Sequence, residues 1–252
     1  MKKSNLTEKK YWNSQWRKFD IKKIKKEYYL FDLFKKYLPF DKNKKCIEIG
    51  CAPGNFLIAF NKNFGYIPYG VDFSDEIIKT QKNFEYNDVS NFKLIKEDFS
   101  RFESNEKFFV VCSFGFIEHF KQPEKQIEKM VSLLETDGYL ILGLPNLRYG
   151  QYIIHKMFNE KEMLAKHNLD IMNLENIEKI MKKHNIKKVY SNYYKLFEYS
   201  FSNKERGKIL FNLFLVFTSK IINVITNKLD LNTTFKSKYI SPYIIYVGKS
   251  QI

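Results

Sequence analysis

The chain has 252 residues, 44% of them hydrophobic, which is enough to bury one sizeable core and excludes a disordered or fibrous protein. Its net charge is +15, yet only four of the 43 basic residues are arginine (Arg17, Arg101, Arg148, Arg206), and the lysines are spread along the whole chain. Lysine is a poorer match than arginine for forked contacts to phosphates and bases, so the charge reads as solvated surface and does not point to a nucleic-acid partner.

Residues 1–40 mix charge with aromatics. Tyr11, Trp12 and Trp16 lie in an amphipathic start. Leu30, Phe31, Phe34, Tyr37 and Leu38 then form an apolar stripe at helical spacing, which Pro39 stops. The start is polar through Lys10, so no signal peptide is expected. Cys46, Cys51 and Cys112 are odd in number and fall on or beside expected strands, which suits reduced thiols in a cytoplasmic protein.

Lys45-Cys46-Ile47-Glu48-Ile49 has the pattern of a short buried strand. The turn Gly50-Cys51-Ala52-Pro53-Gly54 follows, and then Phe56, Leu57, Ala59 and Phe60 recur at helical spacing. Strand, glycine turn and helix is the form of a nucleotide-binding crevice at the end of a parallel strand. Gly50 lets the chain turn sharply, Gly54 lets backbone approach a ligand, and Pro53 suits a first helical turn. A dinucleotide fingerprint needs a third glycine where Leu57 stands.

The second strand, 66–72, ends in Asp72, about twenty residues past the glycine turn, where a carboxylate accepts from both ribose hydroxyls. The other reading of Asp72 is a strand-end acid in solvent. Ser74 is placed to cap a helix over 75–84. Residues 92–96 form a third short strand, followed by Glu97-Asp98-Phe99. The run 108–113 is apolar throughout, as expected of a central parallel strand, and leads into Phe114-Gly115-Phe116-Ile117-Glu118-His119-Phe120. A helix over 123–134, a turn at Asp137-Gly138 and a strand over 139–143 come next. Leu144-Pro145-Asn146 closes that strand, with Asn146 expected to face the crevice.

Glu48-x-Gly50-x-Ala52-x-Gly54 resembles motif I of the class I S-adenosylmethionine-dependent methyltransferases, with Ala52 in place of the middle glycine. The later motifs follow in that family's order over residues 45–147. The segment ending in Glu118-His119 is similar to the post-strand segment of small-molecule and sugar methyltransferases. The Asn/Asp-Pro-Pro-aromatic motif of amino methyltransferases and the Pro-Cys of cytosine-C5 enzymes are both missing there. The resemblance implies one Rossmann-like three-layer α/β domain over 1–252, with a seven-stranded, mostly parallel sheet whose last strand runs antiparallel. It implies S-adenosyl-L-methionine as cofactor. Gly50, Cys51, Ala52 and Gly54, with Glu48, would lie at the methionine end, Asp72 and Phe73 at the ribose, Asp98 and Phe99 at the adenine, and Ser113 at the fourth strand's end. Asp98 is equally readable as a turn residue. Residues 1–40 take the place of a helical lid over the cofactor, or of plain packing.

Residues 148–172 interrupt the alternation before a helix over 174–183, and by position stand over the crevice on the acceptor side. Pro-Asn-Leu-Arg and the later His-Asn-Leu resemble bacterial methyltransferases of glycan assembly. A hydroxyl acceptor has to lose a proton, for which histidine is suited. His119 at the crevice and His167 in the insertion are the candidate catalytic residues, while His155 and His184 fit helix faces. The histidines and cysteines do not cluster along the sequence, so no metal site is expected. Residues 186–197 read as strand six and 241–248 as a last strand. Between them, 204–229 is a hydrophobic helical stretch without an uncharged span of membrane length. It is a candidate for packing on the sheet, for a homodimer face or for peripheral membrane contact. The function expected is O-methylation of a sugar, a nucleotide sugar, a surface-glycan precursor or another polar small molecule. The alternatives are an RNA methyltransferase and a non-catalytic binding module of the same fold.

Overall fold

The most apolar run of the chain becomes the middle of the sheet. In the computed structural model, β4 (Phe108–Phe114) has six buried residues in succession. The structure describes residues 5–26, 30–157, 160–195, 217–222, 224–225 and 236–251. β1 (Lys45–Ile49) pairs parallel with β4 on one side and with β2 (Ile67–Asp72) on the other, and β3 (Lys93–Lys96) continues the parallel ladder beyond β2. On the far side β5 (Leu134–Pro145) is parallel to β4. β7 (Tyr243–Ser250) is antiparallel to β5 and to β6 (Ile186–Tyr194). The order is therefore β3-β2-β1-β4-β5-β7-β6, a seven-stranded, mostly parallel sheet with the antiparallel last strand that was expected.

Alternation along the strands sends side chains to two faces, and each face has its own helices. Cys46, Val110 and Ile141 share a core with Phe31 and Phe34 of α2 (Phe31–Phe34) and with Leu57 and Phe60 of α3 (Asn55–Phe64). Phe84 of α4 (Ile77–Tyr86) joins this face. On the other, Ile47, Val111 and Leu140 pack against Ile127 and Met130 of α5 (Pro123–Val131) and Ile177 and Met181 of α8 (Leu174–Lys183). Burying each of these large side chains stabilises the fold by roughly 1.5–3 kcal/mol. α7 (Lys161–Ala165) packs Met163 and Leu164 against the second face, while α1 (Lys9–Arg17) and α6 (Tyr149–Met157) add no described residue to either core. Among the described residues, no helix is long and apolar enough to cross a membrane.

Several local expectations are corrected. The stripe from Leu30 to Leu38 is helical only over Phe31–Phe34, because Leu30 enters it in the left-handed region at φ +71°. α4 starts at Ile77, not at Asp75, and Ser74 does not cap it: the N-cap is Glu76, the Ser74 Oγ is unpartnered, and the Ser74 N–H donates to Asp72 in the preceding turn. Pro53 precedes α3, after a cis Ala52–Pro53 bond, and is not in its first turn. Asn146 is fully buried and does not face the crevice. Its amide donates to the carbonyls of Lys238 and Ser241 and so fixes the entry to β7. Most of 204–229 lies outside the described residues; 217–222 and 224–225 are helical.

The topology now fixes where a site forms. From β1 the chain proceeds outward through β2 and β3, and from β4 it proceeds the opposite way to β5. The carboxyl ends of β1 and β4 therefore flank a crevice that no connection fills.

Candidate active site

That crevice holds a cavity of about 340 Å³. Its floor is the turn after β1. Gly50 has φ +74°, and a Cβ there would lie 2.7 Å from Cδ2 of Phe116, so the glycine lets the Phe116 ring lie against the turn. Glu48, Gly50, Cys51, Ala52 and Pro53 line this end, with Asn55 and Phe56 from the start of α3. Phe56 stacks on Phe114 at 3.7 Å between ring centroids and closes the base of the crevice.

Asp72 ends β2 at the cavity and is 6% exposed. Its Oδ2 accepts from the Ala52 N–H at 3.1 Å and its Oδ1 from the Ser74 N–H at 2.8 Å. Two backbone amides thus aim the carboxylate, and each oxygen keeps a second lone pair for a ligand. Asp98 lines the next stretch of wall with Glu97 and Phe99. Asp98 Oδ1 accepts from the Ser100 N–H and Oγ at 2.9 and 2.8 Å, so it is a turn residue and a cavity residue at once. Glu48 is fully buried with Oε2 unpartnered, and burial together with the Asp72 charge raises it well above the usual carboxylate range. The carboxyl takes a hydrogen bond from the Leu57 N–H, and leaving its other oxygen unpartnered in a buried cavity wall is costly unless a ligand reaches it.

The other end of the cavity is built by two segments distant in the sequence. After β4, Ile117–His119 forms a single 3-10 turn that buries Glu118 and His119. Beyond α7, the loop carrying His167 is tied back to that turn. The Asn168 N–H donates to the Glu118 carbonyl at 2.7 Å, and the Asn168 amide donates to the Phe120 carbonyl at 3.1 Å. His119 Nδ1 sits 2.8 Å from the Lys166 carbonyl and His167 Nδ1 sits 2.7 Å from the Met163 carbonyl. A carbonyl can only accept, so Nδ1 carries the proton in both rings and Nε2 keeps its lone pair. The two ring centroids are 4.5 Å apart. Burial and the neighbouring His167 push His119 down to about 3, and burial lowers His167 too, so both rings stay neutral at ordinary pH. Burial pushes Glu118 up to about 8.

α1 covers the opening. Trp12 and Trp16 line the cavity, stack on each other at 5.7 Å, and Trp12 meets the His119 ring edge-on at 4.9 Å. On one bank Lys9 and Asn13 reach Asp75, which also holds Lys96. On the other bank the Leu6 N–H donates to the His119 carbonyl at 2.7 Å. The leader is therefore a strap from the end of β2 to the end of β4. The Asp75 contacts are solvent-exposed and screened by salt. Asp75→Ala, or raised ionic strength, is expected to speed ligand release a few-fold, read by stopped-flow tryptophan fluorescence. An unchanged release rate would show that the strap does not gate the cavity.

The family model described as a methyltransferase domain matches residues 22–191, more than half of the chain. The chain belongs to the methyltransferase-domain family. No curated protein matches this methyltransferase by sequence. Its fold is similar to that of phosphoethanolamine N-methyltransferase 2 from Haemonchus contortus in complex with S-adenosyl-L-methionine, at 17% identity and a TM-score of 0.59. That match covers 88% of this chain and 52% of the other, so this methyltransferase spans about half of that protein. N-methyltransferase NodS from Bradyrhizobium japonicum WM9 is similar at 13% identity and TM-score 0.50, covering 83% and 79% of the two chains. Magnesium protoporphyrin IX methyltransferase from Synechocystis PCC 6803 gives 14% and 0.51, covering 87% and 78%. At these identities the likeness is one of fold.

Of the residues singled out in the sequence, Glu48, Gly50, Cys51, Ala52, Asp72, Phe73, Asp98, Phe99, His119 and His167 line this one cavity. Gly54 and Ser113 are not among the lining residues. Gly54 turns its bare face to α4, where Phe84 and Thr80 fill the place of a side chain, and Ser113 is buried within β4. The two histidines placed at the crevice from sequence meet there, and folding adds Glu118 to them, a donor group that spacing along the sequence did not show. Thr7, Glu97 and Glu118 line the cavity without having been assigned a role from sequence. For Glu118 the signal was present in the Glu-His pair itself.

Proposed function

We propose that this methyltransferase uses S-adenosyl-L-methionine to methylate a hydroxyl of a sugar or another polar small molecule. The observation that carries the reading is the convergence of Gly50, Asp72, Asp98, His119 and His167 on a single cavity. The donor fits the residues present. Asp72 would accept from the ribose hydroxyls, and Asp98 from the adenine amino group with Phe99 beside the purine. The Glu48 carboxyl and the backbone of the Gly50 turn would meet the amino-acid end, near the positive end of α3. When bound, the donor supplies a methyl on a sulfonium, already activated for in-line displacement. The protein's part is alignment, worth up to roughly 7–11 kcal/mol in well-oriented systems. Trp12 and Trp16 exclude water, and the Nε2 lone pairs of His119 and His167 receive the acceptor hydroxyl and its proton.

Nucleotide sugars and simple glycosides screened with isotopically labelled donor are expected to yield a labelled O-methyl ether, identified by mass spectrometry. Label appearing only in amines or RNA would remove the hydroxyl reading. Tight donor binding with no labelled product from any class would favour a binding module. Asp72→Ala is expected to raise the dissociation constant for S-adenosylhomocysteine by roughly 5- to 150-fold, about 1–3 kcal/mol. An unchanged constant in isothermal calorimetry would move the ribose contact elsewhere.

A further inference from the structure

We infer that Glu118, His119 and His167 form a binding site for a divalent first-row transition-metal ion at the acceptor end of the cavity. One donor atom from each of the three lies within 4.8 Å of the other two. Both imidazoles have Nδ1 committed to a backbone carbonyl, of Lys166 and of Met163, which fixes the ring and leaves Nε2 as the available donor. Metal-binding histidines are held in this way, by a hydrogen bond from the far nitrogen. Glu118 is 1% exposed, lines the cavity, and its Oε2 has no partner. His119 Nε2 lies 3.9 Å from Glu118 Oε1. A buried carboxyl and two ring nitrogens that keep their lone pairs thus face one another within 4.8 Å, and a cation placed between them would engage all three donors.

The donor set selects the class of ion. Two imidazole nitrogens and one carboxylate oxygen suit zinc, cobalt, nickel or ferrous iron, whereas magnesium and calcium prefer oxygen alone. Three protein ligands leave positions open on the cavity side, which is the pattern of catalytic metal sites and not of structural ones. Ligand bonds of about 2.0–2.2 Å require the donors to draw together by about 1 Å from their present spacing, a side-chain adjustment. The Asn168 contacts to the Glu118 and Phe120 carbonyls hold the two segments together while this happens. The site itself stands on these side chains alone; its use rests on the function proposed above. A cation here would occupy the Nε2 lone pairs and so replace the imidazoles as the aid to proton loss: it would lower the pKa of an acceptor hydroxyl held beside it, whose proton would then pass to water.

The test is a titration of the chelator-treated full-length protein with cobalt(II) chloride, read by visible d–d absorption and by tryptophan fluorescence. One equivalent is expected to bind, to quench Trp12, whose ring lies 4.9 Å from that of His119, and to be displaced by zinc. Glu118→Gln and His167→Ala are each expected to weaken cobalt binding by at least about tenfold, while S-adenosylhomocysteine still raises their melting temperature. No binding at one equivalent, full retention in both variants, or a near-ultraviolet thiolate band placing the ion on a cysteine would each overturn the assignment. Failure of S-adenosylhomocysteine to stabilise the wild-type protein would instead overturn the donor reading and leave the metal result standing.

Discussion

Replacing His119 by alanine is expected to lower kcat by about 10²–10⁴-fold while leaving the affinity for S-adenosylhomocysteine nearly unchanged. The separation follows from topology. The donor contacts proposed above come from the ends of β1, β2 and β3, whereas His119 follows β4 and lines the cavity beside His167. The substitution keeps the His119 carbonyl that receives the Leu6 N–H, so the strap stays attached on that bank. Steady-state kinetics on the acceptor found by the screen, with calorimetry of the donor product, measure both halves. A kcat close to wild type would mean that neither the imidazole nor an ion held by it assists the transfer, and the chemistry would have to rest on alignment alone.

The second large effect concerns the scaffold. Gly54→Ala is expected to destabilise the fold by about 2–4 kcal/mol, the sum of left-handed backbone strain and overpacking. Gly54 is the N-cap of α3 with φ +89°. An added Cβ would lie 2.6 Å from Cε2 of Phe84 and 2.8 Å from Cγ2 of Thr80, both on the buried side of α4. Neither neighbour has room to retreat, because Phe84 packs against Phe92 and Thr80 is fully buried. Thermal unfolding is expected to fall by roughly 5–15 °C. A melting temperature equal to wild type would show that α3 and α4 can slide apart, contrary to the close packing described. The same residue at Gly50 acts differently: its neighbour is Phe116 at the cavity wall, so an alanine there is felt first in ligand affinity.

The strand tips were legible because each carries a local signature. An apolar run followed by an acid or a glycine reports a buried parallel strand reaching its carboxyl end, and Glu48, Asp72 and Asp98 all follow that rule. The sheet order was legible only through the family resemblance, since no local pattern says that β7 enters between β5 and β6. Two misreadings arose where a residue's polar group is engaged elsewhere than its local pattern suggests. Ser74 has the composition of a cap, yet the Asp72 carboxylate takes its N–H. Asn146 has the position of a crevice residue, yet the carbonyls of Lys238 and Ser241 claim its amide. That His119 and His167 both reach the crevice was legible from their positions, but the contact that joins them was not. Nothing in a one-dimensional pattern says that Asn168 will donate to a carbonyl fifty residues upstream, and without that bond the two imidazoles are unrelated.

The manner in which the His167 loop is attached carries an evolutionary corollary. It is fastened to the turn after β4 by the Asn168 N–H and side-chain amide, which donate to the Glu118 and Phe120 carbonyls, and by the His119 ring, whose Nδ1–H donates to the Lys166 carbonyl. The side chains at 120 and 166 can therefore drift with the joint intact, and the loop can exchange its residues provided that Asn168 and the His119 ring, which supply the donors, are kept. Grafting residues 148–172 from a relative with a different acceptor is thus the natural route to a chimera of altered selectivity, with the donor pocket carried along unchanged.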